Sequence, residues 1–209
     1  MLGDAAALDD PSYEGWPAGL AVPSRVLGNA PFVVDVAGHH EGSLVQVTAP
    51  DRHGLLADLA GALSVAGQQI RSARLVERDG MTTSIWEVAG RDVDEARLVR
   101  RIRQVLDGQL SLDDRLAPSG EGPTEPLQVM LHHDSSTSAV VEVRAQDQRG
   151  LVWAVARTIT EEGHGIRSAH LSTFGPQARD VFYVVDGAGG PLSAERTDAL
   201  VERLRELPL

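Results

Sequence analysis

Two short loops carry the residues best suited to chemistry. Asp51-Arg52-His53-Gly54 stands between a strand-like stretch and a helix-like one, and Asp147-Gln148-Arg149-Gly150 stands in the same place 96 positions later. A loop that enters a helix presents backbone N–H groups with no partner inside the helix, and the helix dipole adds positive potential there. Such a terminus attracts a carboxylate or another anion. Gly54 and Gly150 allow a ligand or a facing backbone to come close. A plainer reading needs no ligand: Asp51 and Asp147 are the N-caps of the helices, and the glycines turn the chain. The residues alone leave both readings open.

A tetrapeptide recurs at the same offset, as Ile70-Arg71-Ser72-Ala73 and Ile166-Arg167-Ser168-Ala169. A repeated Arg pairs with a carboxylate in fork geometry, or lies solvated along a sheet or at an interface, which is the preferred reading. Ser72 and Ser168 are hydrogen-bond donors near a ligand or plain polar strand residues. Arg74 aligns with His170, so the two copies need not be equivalent.

The elements that position these residues repeat as well. "VQVTAPDRHGLLADLAGALSVAGQQIRSARL" from Val45 aligns without a gap on "VEVRAQDQRGLVWAVARTITEEGHGIRSAHL" from Val141. Repeats of this kind mark homologous units. In each copy an alternating apolar stretch reads as a half-buried strand. A helix with an apolar stripe follows (Leu55, Leu56, Leu59, Ala60 and Leu63, answered by Leu151, Val152, Val155, Ala156 and Ile159). Gly67 and Gly163 suit the left-handed residue that ends a helix. The tetrapeptide then opens a strand, and hairpins turn at Asp79-Gly80 and around Gly175-Pro176. Second helices are expected near 93–107 and 193–207, the latter capped at Ser193. The chain stops at Leu209, leaving no room for the fourth strand of a ferredoxin-like unit after the second helix. "PFVVDVA" and "PLQVMLH", which begin 95–96 positions apart, are expected to fill that place as antiparallel partners of the strands starting near Ser43 and Ser138.

The expected fold is therefore α+β. It comprises an arm (1–30), a ferredoxin-like unit (31–116), a Pro- and Gly-rich linker (117–126) and a second unit (127–209), each an antiparallel sheet with helices on one face. Net charge is −11 with 42% hydrophobic residues, which argues against general binding of nucleic acid or anionic lipid. All 19 basic residues are Arg, and cysteine is absent, so disulfides and thiolate metal sites are excluded. No apolar run reaches membrane-spanning length and no signal peptide is evident, which fits the cytoplasm. His39-His40 and His132-His133 do not align at the repeat offset and are read as solvated turn histidines, not metal ligands. "EARLVRRIRQVLD" is read as a helix with a solvated basic face. Trp86 and Trp153 are expected to pack within or between units.

"APDRHGLLADLAGALSVAGQQIRSARL" and "AQDQRGLVWAVARTITEEGHGIRSAHLSTFG" resemble tandem ACT domains, most closely the C-terminal pair of PII-protein uridylyltransferases. The resemblance covers roughly 31–209. It implies a non-catalytic sensor that binds an amino acid, glutamine first, at a domain interface. It further implies a regulated enzyme or PII-pathway partner and a homodimer formed through sheets or helices, with no cofactor and no metal. The ligand is expected against Asp51, Arg52, His53, Gly54, Leu55, Ile70, Arg71 and Ser72, and against Asp147, Gln148, Arg149, Gly150, Leu151, Ile166, Arg167 and Ser168. The family's catalytic signatures are missing. Gly42-Ser43 lies about fifty residues from Asp92 and Asp94, and His133-Asp134 is a single dipeptide, so no nucleotidyl transfer is expected. Two alternatives stand beside this reading: the regulatory end of a longer uridylyltransferase, and a ligand-free dimerisation module.

Overall fold

The computed structural model describes residues 30–39, 42–116, 127–132 and 137–208. The expected arm up to residue 29, the linker 117–126, His40 and His133 lie outside the described residues. The elements run β1 (Val33–His39), β2 (Gly42–Pro50), α1 (Leu55–Val65), β3 (Ile70–Arg78), β4 (Met81–Ala89), α2 (Glu95–Leu106) and a short α3 (Asp113–Leu116). They continue as β5 (Gln128–His132), β6 (Ala139–Gln146), α4 (Leu151–Glu161), β7 (Gly165–Phe174), β8 (Gln177–Val185) and α5 (Ala194–Arg205). The strands form one antiparallel sheet in the order β1-β2-β4-β3-β7-β8-β6-β5, with the helices on one face.

The order explains how each copy does without a fourth strand. β1 pairs antiparallel with β2 from Val33–Thr48 to His39–Gly42, and β5 pairs with β6 from Gln128–Arg144 to His132–Val140. Both lie at the outer edges of the sheet. The inner edges, β3 and β7, pair with each other through Ser72–Ser172, Ala73–Leu171 and Arg74–His170. Two four-stranded sheets thus become one, and the two inner edges cover each other along these three pairs.

Turn and cap chemistry follow from local residues. The β3–β4 hairpin turns at Asp79 and Gly80, with φ of 53° and 73°, the positive pair that such a two-residue turn needs. Gly67 and Gly163 end α1 and α4 with positive φ, as expected. Asp94 and Ser193 cap α2 and α5 by accepting from the N–H groups of Arg97 (2.8 Å) and Arg196 (3.3 Å). The expected caps of α1 and α4 are corrected. Their N-cap residues are Gly54 (φ 81°) and Gly150 (φ 88°), which offer no side chain. Asp51 and Asp147 stand three residues earlier, so their carboxylates are free for other partners.

Burial follows helix position. In α1 every residue except Asp58 is buried, because the helix meets the sheet, α2 and α4 on different sides. The outer helix α2 buries only Leu98, Ile102 and Val105, at i, i+4 and i+7. Trp86 is fully buried, and its indole N–H donates to the Ser84 hydroxyl at 2.8 Å. Trp153 is buried between α1 and α4.

On the helix-free face of the second copy, Glu142 sits beneath a cluster of cations. It accepts from Arg144 Nε (2.6 Å), Arg179 Nε (2.8 Å) and His132 Nε2 (2.8 Å). His132 is thus a strand residue with an acid partner, not the solvated turn histidine expected. The guanidinium of Arg179 leads in holding the Glu142 carboxyl down to about 2, against the opposing effect of burial. A folded-state value below the ordinary 4.5 gives stability that is present above pH 4.5 and lost as pH falls toward 2. Chemical denaturation across that window should show Glu142→Gln less stable than the parent at pH 7, with the difference vanishing near pH 2. An equal deficit at both ends of the window would refute the role of the ion pairs.

Candidate functional site

The sequence repeat becomes a pseudo-twofold arrangement in space. Each helix-entry loop faces the end of the other copy's first helix. His53 Nε2 donates to the Thr160 carbonyl at 2.9 Å. Arg149 Nε donates to the Ser64 carbonyl at 3.3 Å. His53 and Arg149 are equivalent positions, as are Ser64 and Thr160. Each of these carbonyls already accepts the N–H of the glycine that ends its helix, Gly67 at 3.1 Å or Gly163 at 2.9 Å, and takes the cross-copy donor as a second bond, which the negative end of the helix dipole favours. The two bonds therefore form a matched clamp across the seam.

Each loop is also tied to its own hairpin. The Asp51 N–H donates to the Gly80 carbonyl and the Asp147 N–H to the Pro176 carbonyl, both at 2.8 Å. Thr82 Oγ1 donates to Asp51 Oδ1 at 2.5 Å. Ala178 occupies the equivalent position in the second copy, so Asp147 lacks that hydroxyl; Gln69 from the first copy donates to it instead, at 3.3 Å.

Two cavities result, and each draws on both copies. The first, about 360 Å³, is lined by Asp51, Arg52, His53, Gly54 and Leu55 from one copy and by Ile166 and Arg167 from the other, with Glu77, Thr82 and Asp186 around them. The second, about 330 Å³, is lined by Asp147, Gln148, Arg149, Gly150 and Leu151 together with Ser64, Gln68, Gln69 and Ile70. Both volumes fall in the range of small-molecule sites. Each tetrapeptide thus begins a strand beside the loop of the opposite copy.

Not every expected residue joins these cavities. A register shift falls between Ile70 and Ser72 and again between Ile166 and Ser168, so the repeated Arg is a bulge residue in both copies. A bulge re-aims its side chain. Arg167 uses this to donate to the carbonyls of Thr137 (3.2 Å) and Gly189 (2.6 Å), which bind it to main chain at the rim of the first cavity. Arg71 lines neither cavity. Ser72 donates to Glu87 Oε2 at 3.1 Å on the helix-free face, and Ser168 also lies away from both loops.

The cavities differ in charge. Three carboxylates border the first: Asp51, Glu77 and Asp186. The N–H groups of Gly190 (2.8 Å) and Ala188 (2.9 Å) hold the Asp186 carboxyl below its ordinary range. Arg52 is engaged with Asp58. Carboxylates beside a helix N-terminus suit a zwitterion, with its ammonium toward the acids and its carboxylate toward the helix. The second cavity has the single carboxylate Asp147 among Gln68, Gln69 and Gln148. Sequence reasoning missed Glu77, Thr82 and Asp186, which come from a hairpin and from the loop after β8. The aligned copies do carry a signal for them: Thr173, Ala178 and Gly90 stand at the equivalent positions. Among the described residues no cluster of three acids or histidines is placed to hold a metal ion.

One buried acid stands apart. Asp180 on β8 is 2% exposed, accepts from the Ser172 N–H at 3.3 Å, and leaves Oδ2 without a partner. It replaces Ser84 of the first copy, while Phe182 replaces the indole donor Trp86. Burial pushes its carboxyl up to about 7, with the charge of Asp147 adding to the effect. The folded state therefore holds a proton that the unfolded chain releases near pH 4, and stability falls as pH rises between those values. The slope contributed is at most about 1.4 kcal/mol per pH unit. Asp180→Asn should remove that slope and exceed the parent in stability at pH 8; a parallel decline in both proteins would count against it.

No family model matches the chain. It is 36% identical over 172 residues to the bifunctional uridylyltransferase/uridylyl-removing enzyme of Nitrobacter hamburgensis, covering 75% of this chain and 18% of that protein. The same enzyme of Streptomyces coelicolor is 34% identical over 178 residues, covering 77% and 21%. That of Azospirillum brasilense is 34% identical over 203 residues, covering 88% and 22%. The chain thus spans about a fifth of the length of these relatives. A solved structure of a protein from Galdieria sulphuraria matches 78% of this chain and 90% of its own at 18% identity, with a TM-score of 0.28. Among the described residues no helix is long and apolar enough to cross a membrane. The chain resembles the C-terminal tandem ACT region of bifunctional uridylyltransferase/uridylyl-removing enzymes, without the greater part of their length.

Proposed function

We propose that the chain is a non-catalytic, cytoplasmic regulatory module that binds an amino acid between two ACT units, residues 31–116 and 127–209. The observation that supports this best is the first cavity: a helix N-terminus, three carboxylates and the other copy's strand start converge on about 360 Å³. The ligand's carboxylate meets the first turn of α1, and its ammonium meets Asp51, Glu77 and Asp186. Glutamine is the first candidate, on resemblance alone. Because the chain spans about a fifth of its relatives, the module acts on catalytic units of a uridylyltransferase or another partner of the PII pathway, in the same chain or as a separate protein. Association of two such modules as a homodimer belongs to the same reading.

The test is calorimetry of the protein with the twenty amino acids and with the methyl ester of whichever binds. A charge-assisted hydrogen bond contributes roughly 1.5–3 kcal/mol, so the ester should bind at least about tenfold more weakly. Asp186→Asn should weaken binding at the first cavity. Gly54→Val should do so more severely, because φ is 81° and a Cβ there would lie 3.3 Å from Thr160 Cγ2. If no amino acid at millimolar concentration gives heat or shifts the melting temperature, the sensing function fails, since a ligand of the folded state must stabilise it. A ligand-free assembly module would then be the better account.

A further inference from the structure

The seam between the copies is not symmetric in its side chains, although it is nearly symmetric in its backbone. Arg74 and His170 are directly opposed in the β3–β7 ladder, and they occupy the same position of their two copies. The pseudo-twofold axis therefore passes between them. Any pairing of two like copies in this arrangement sets Arg74 against a second Arg74, or His170 against a second His170. Like charges directly opposite on adjacent strands are destabilising. The unlike pair avoids this, since burial and the charge of Arg74 lower the pKa of His170; charge therefore rejects two first copies, and rejection of two second copies rests on the helices.

The helices above carry a second asymmetry. A Cβ built on Gly61 of α1 would lie 3.0 Å from Trp153 Cδ1 of α4 and 2.4 Å from Leu112 Cδ1. The counterpart of Gly61 in the second copy is Arg157, and the counterpart of Trp153 in the first is Ala57. The twofold image of the Gly61–Trp153 contact is therefore Ala57 with Arg157, and those two residues line one groove. At both places α1 supplies the small residue and α4 the large one. Arg157 is fixed in its role: its guanidinium lies 5.2 Å from the Trp153 ring centroid and pairs with Glu161 and Asp113. Two first copies would set Gly61 against Ala57 and leave voids. Two second copies would set Arg157 against Trp153 and overfill the seam. Voids and overpacking both destabilise.

We infer that Arg74, Ala57 and Gly61 on one side, with His170, Trp153 and Arg157 on the other, form a key that admits unlike copies and rejects like ones. The seam therefore does not join two chains through the same half, and within one chain it joins the first copy to the second. The key also decides which cavities exist, because each takes its loop from one copy and its strand start from the other. The inference does not depend on what those cavities bind.

The absence of cysteine makes the test direct in the full chain. Position 74 or 170 meets its own kind across the axis only in a like pairing, and meets the other only in an unlike one. Arg74→Cys with His170→Cys should close an intrachain disulfide, losing both thiols and running at monomer mass on a denaturing, non-reducing gel. Arg74→Cys alone, which removes the repelling charge and so reports the helix part of the key, and His170→Cys alone should each yield much less covalent product than the double variant under the same oxidant. Adding Trp153→Ala and Arg157→Ala to His170→Cys should release the block and raise its covalent dimer. Closure of the double variant establishes that its seam is folded. The inference is overturned if either single variant dimerises as fast as the double variant closes, if the double variant crosslinks between chains, or if the loosened variant dimerises no more than His170→Cys.

Discussion

The meeting of β3 with β7 is the contact on which the rest of the molecule depends. It comprises only three residue pairs, Ser72–Ser172, Ala73–Leu171 and Arg74–His170. It nonetheless fixes the sheet at eight strands, sets α1 against α4, and carries each helix-entry loop over the strand start of the other copy. The repeated tetrapeptide enters this junction in the first copy, through Ser72 and Ala73, whereas Ser168 and Ala169 lie outside its three pairs. In both copies its Arg is a bulge residue against the neighbouring strand of the same copy, β4 or β8, and a bulge bends the strand start beside the cavity. A short ladder suffices because the helices reinforce it. His53 and Arg149 each bond a helix-terminal carbonyl of the opposite copy, and Gly61 lets Trp153 approach α1.

What was legible in the sequence was what local chemistry decides. Alternation of apolar residues marked the strands, including β1 and β5, because a half-buried strand needs a side chain on each face in turn. Asp79-Gly80 marked its hairpin, because only such residues accept two positive φ values in succession. The two loops were legible as helix entries, yet Asp51 and Asp147 were misread as caps. A one-dimensional pattern puts an acid near a helix start, but whether it caps depends on where Gly54 and Gly150 turn the backbone. The crossing of loops and strand starts between copies was not legible, since nothing within one repeat says which copy's strand a loop will face. Glu77, Thr82 and Asp186 were missed for the same reason: each reaches the first cavity through tertiary placement. His132 looked like a turn residue until β5 placed it across from Glu142.

The second copy departs from the first mainly where polar groups meet the sheet. On its helix-free face Gln46, Thr48 and Thr83 have become Glu142, Arg144 and Arg179. A neutral patch, in which the hydroxyls of Thr48 and Thr83 lie 3.2 Å apart, is replaced by ion pairs around one carboxylate. The strand pairing is the same in both copies while the surface charge changes. The exchange shows how much sequence freedom a paired sheet face tolerates once strand register is set from the other side by core residues such as Val45, Val47, Val141 and Val143, all close to fully buried.

The divergence around the two cavities has a different character, because there the changes do not compensate one another. Thr82, which bonds Asp51, is answered by Ala178, and Ser84, which accepts from an indole, is answered by Asp180, which accepts from the Ser172 N–H and leaves Oδ2 without a partner. Glu77 is answered by Thr173, and Asp186 stands where the first copy has Gly90. The second cavity thus keeps Asp147 but lacks counterparts of Glu77, replaced by Thr173 of the second copy, and of Asp186, replaced by Gly90 of the first, while the second copy supplies Asp186 and Arg167 to the first cavity. Three carboxylates border the first cavity and one the second, although residues of both copies wall each of them. The two cavities thus share a backbone and differ in the charge they present, so one ligand meets different surroundings in each.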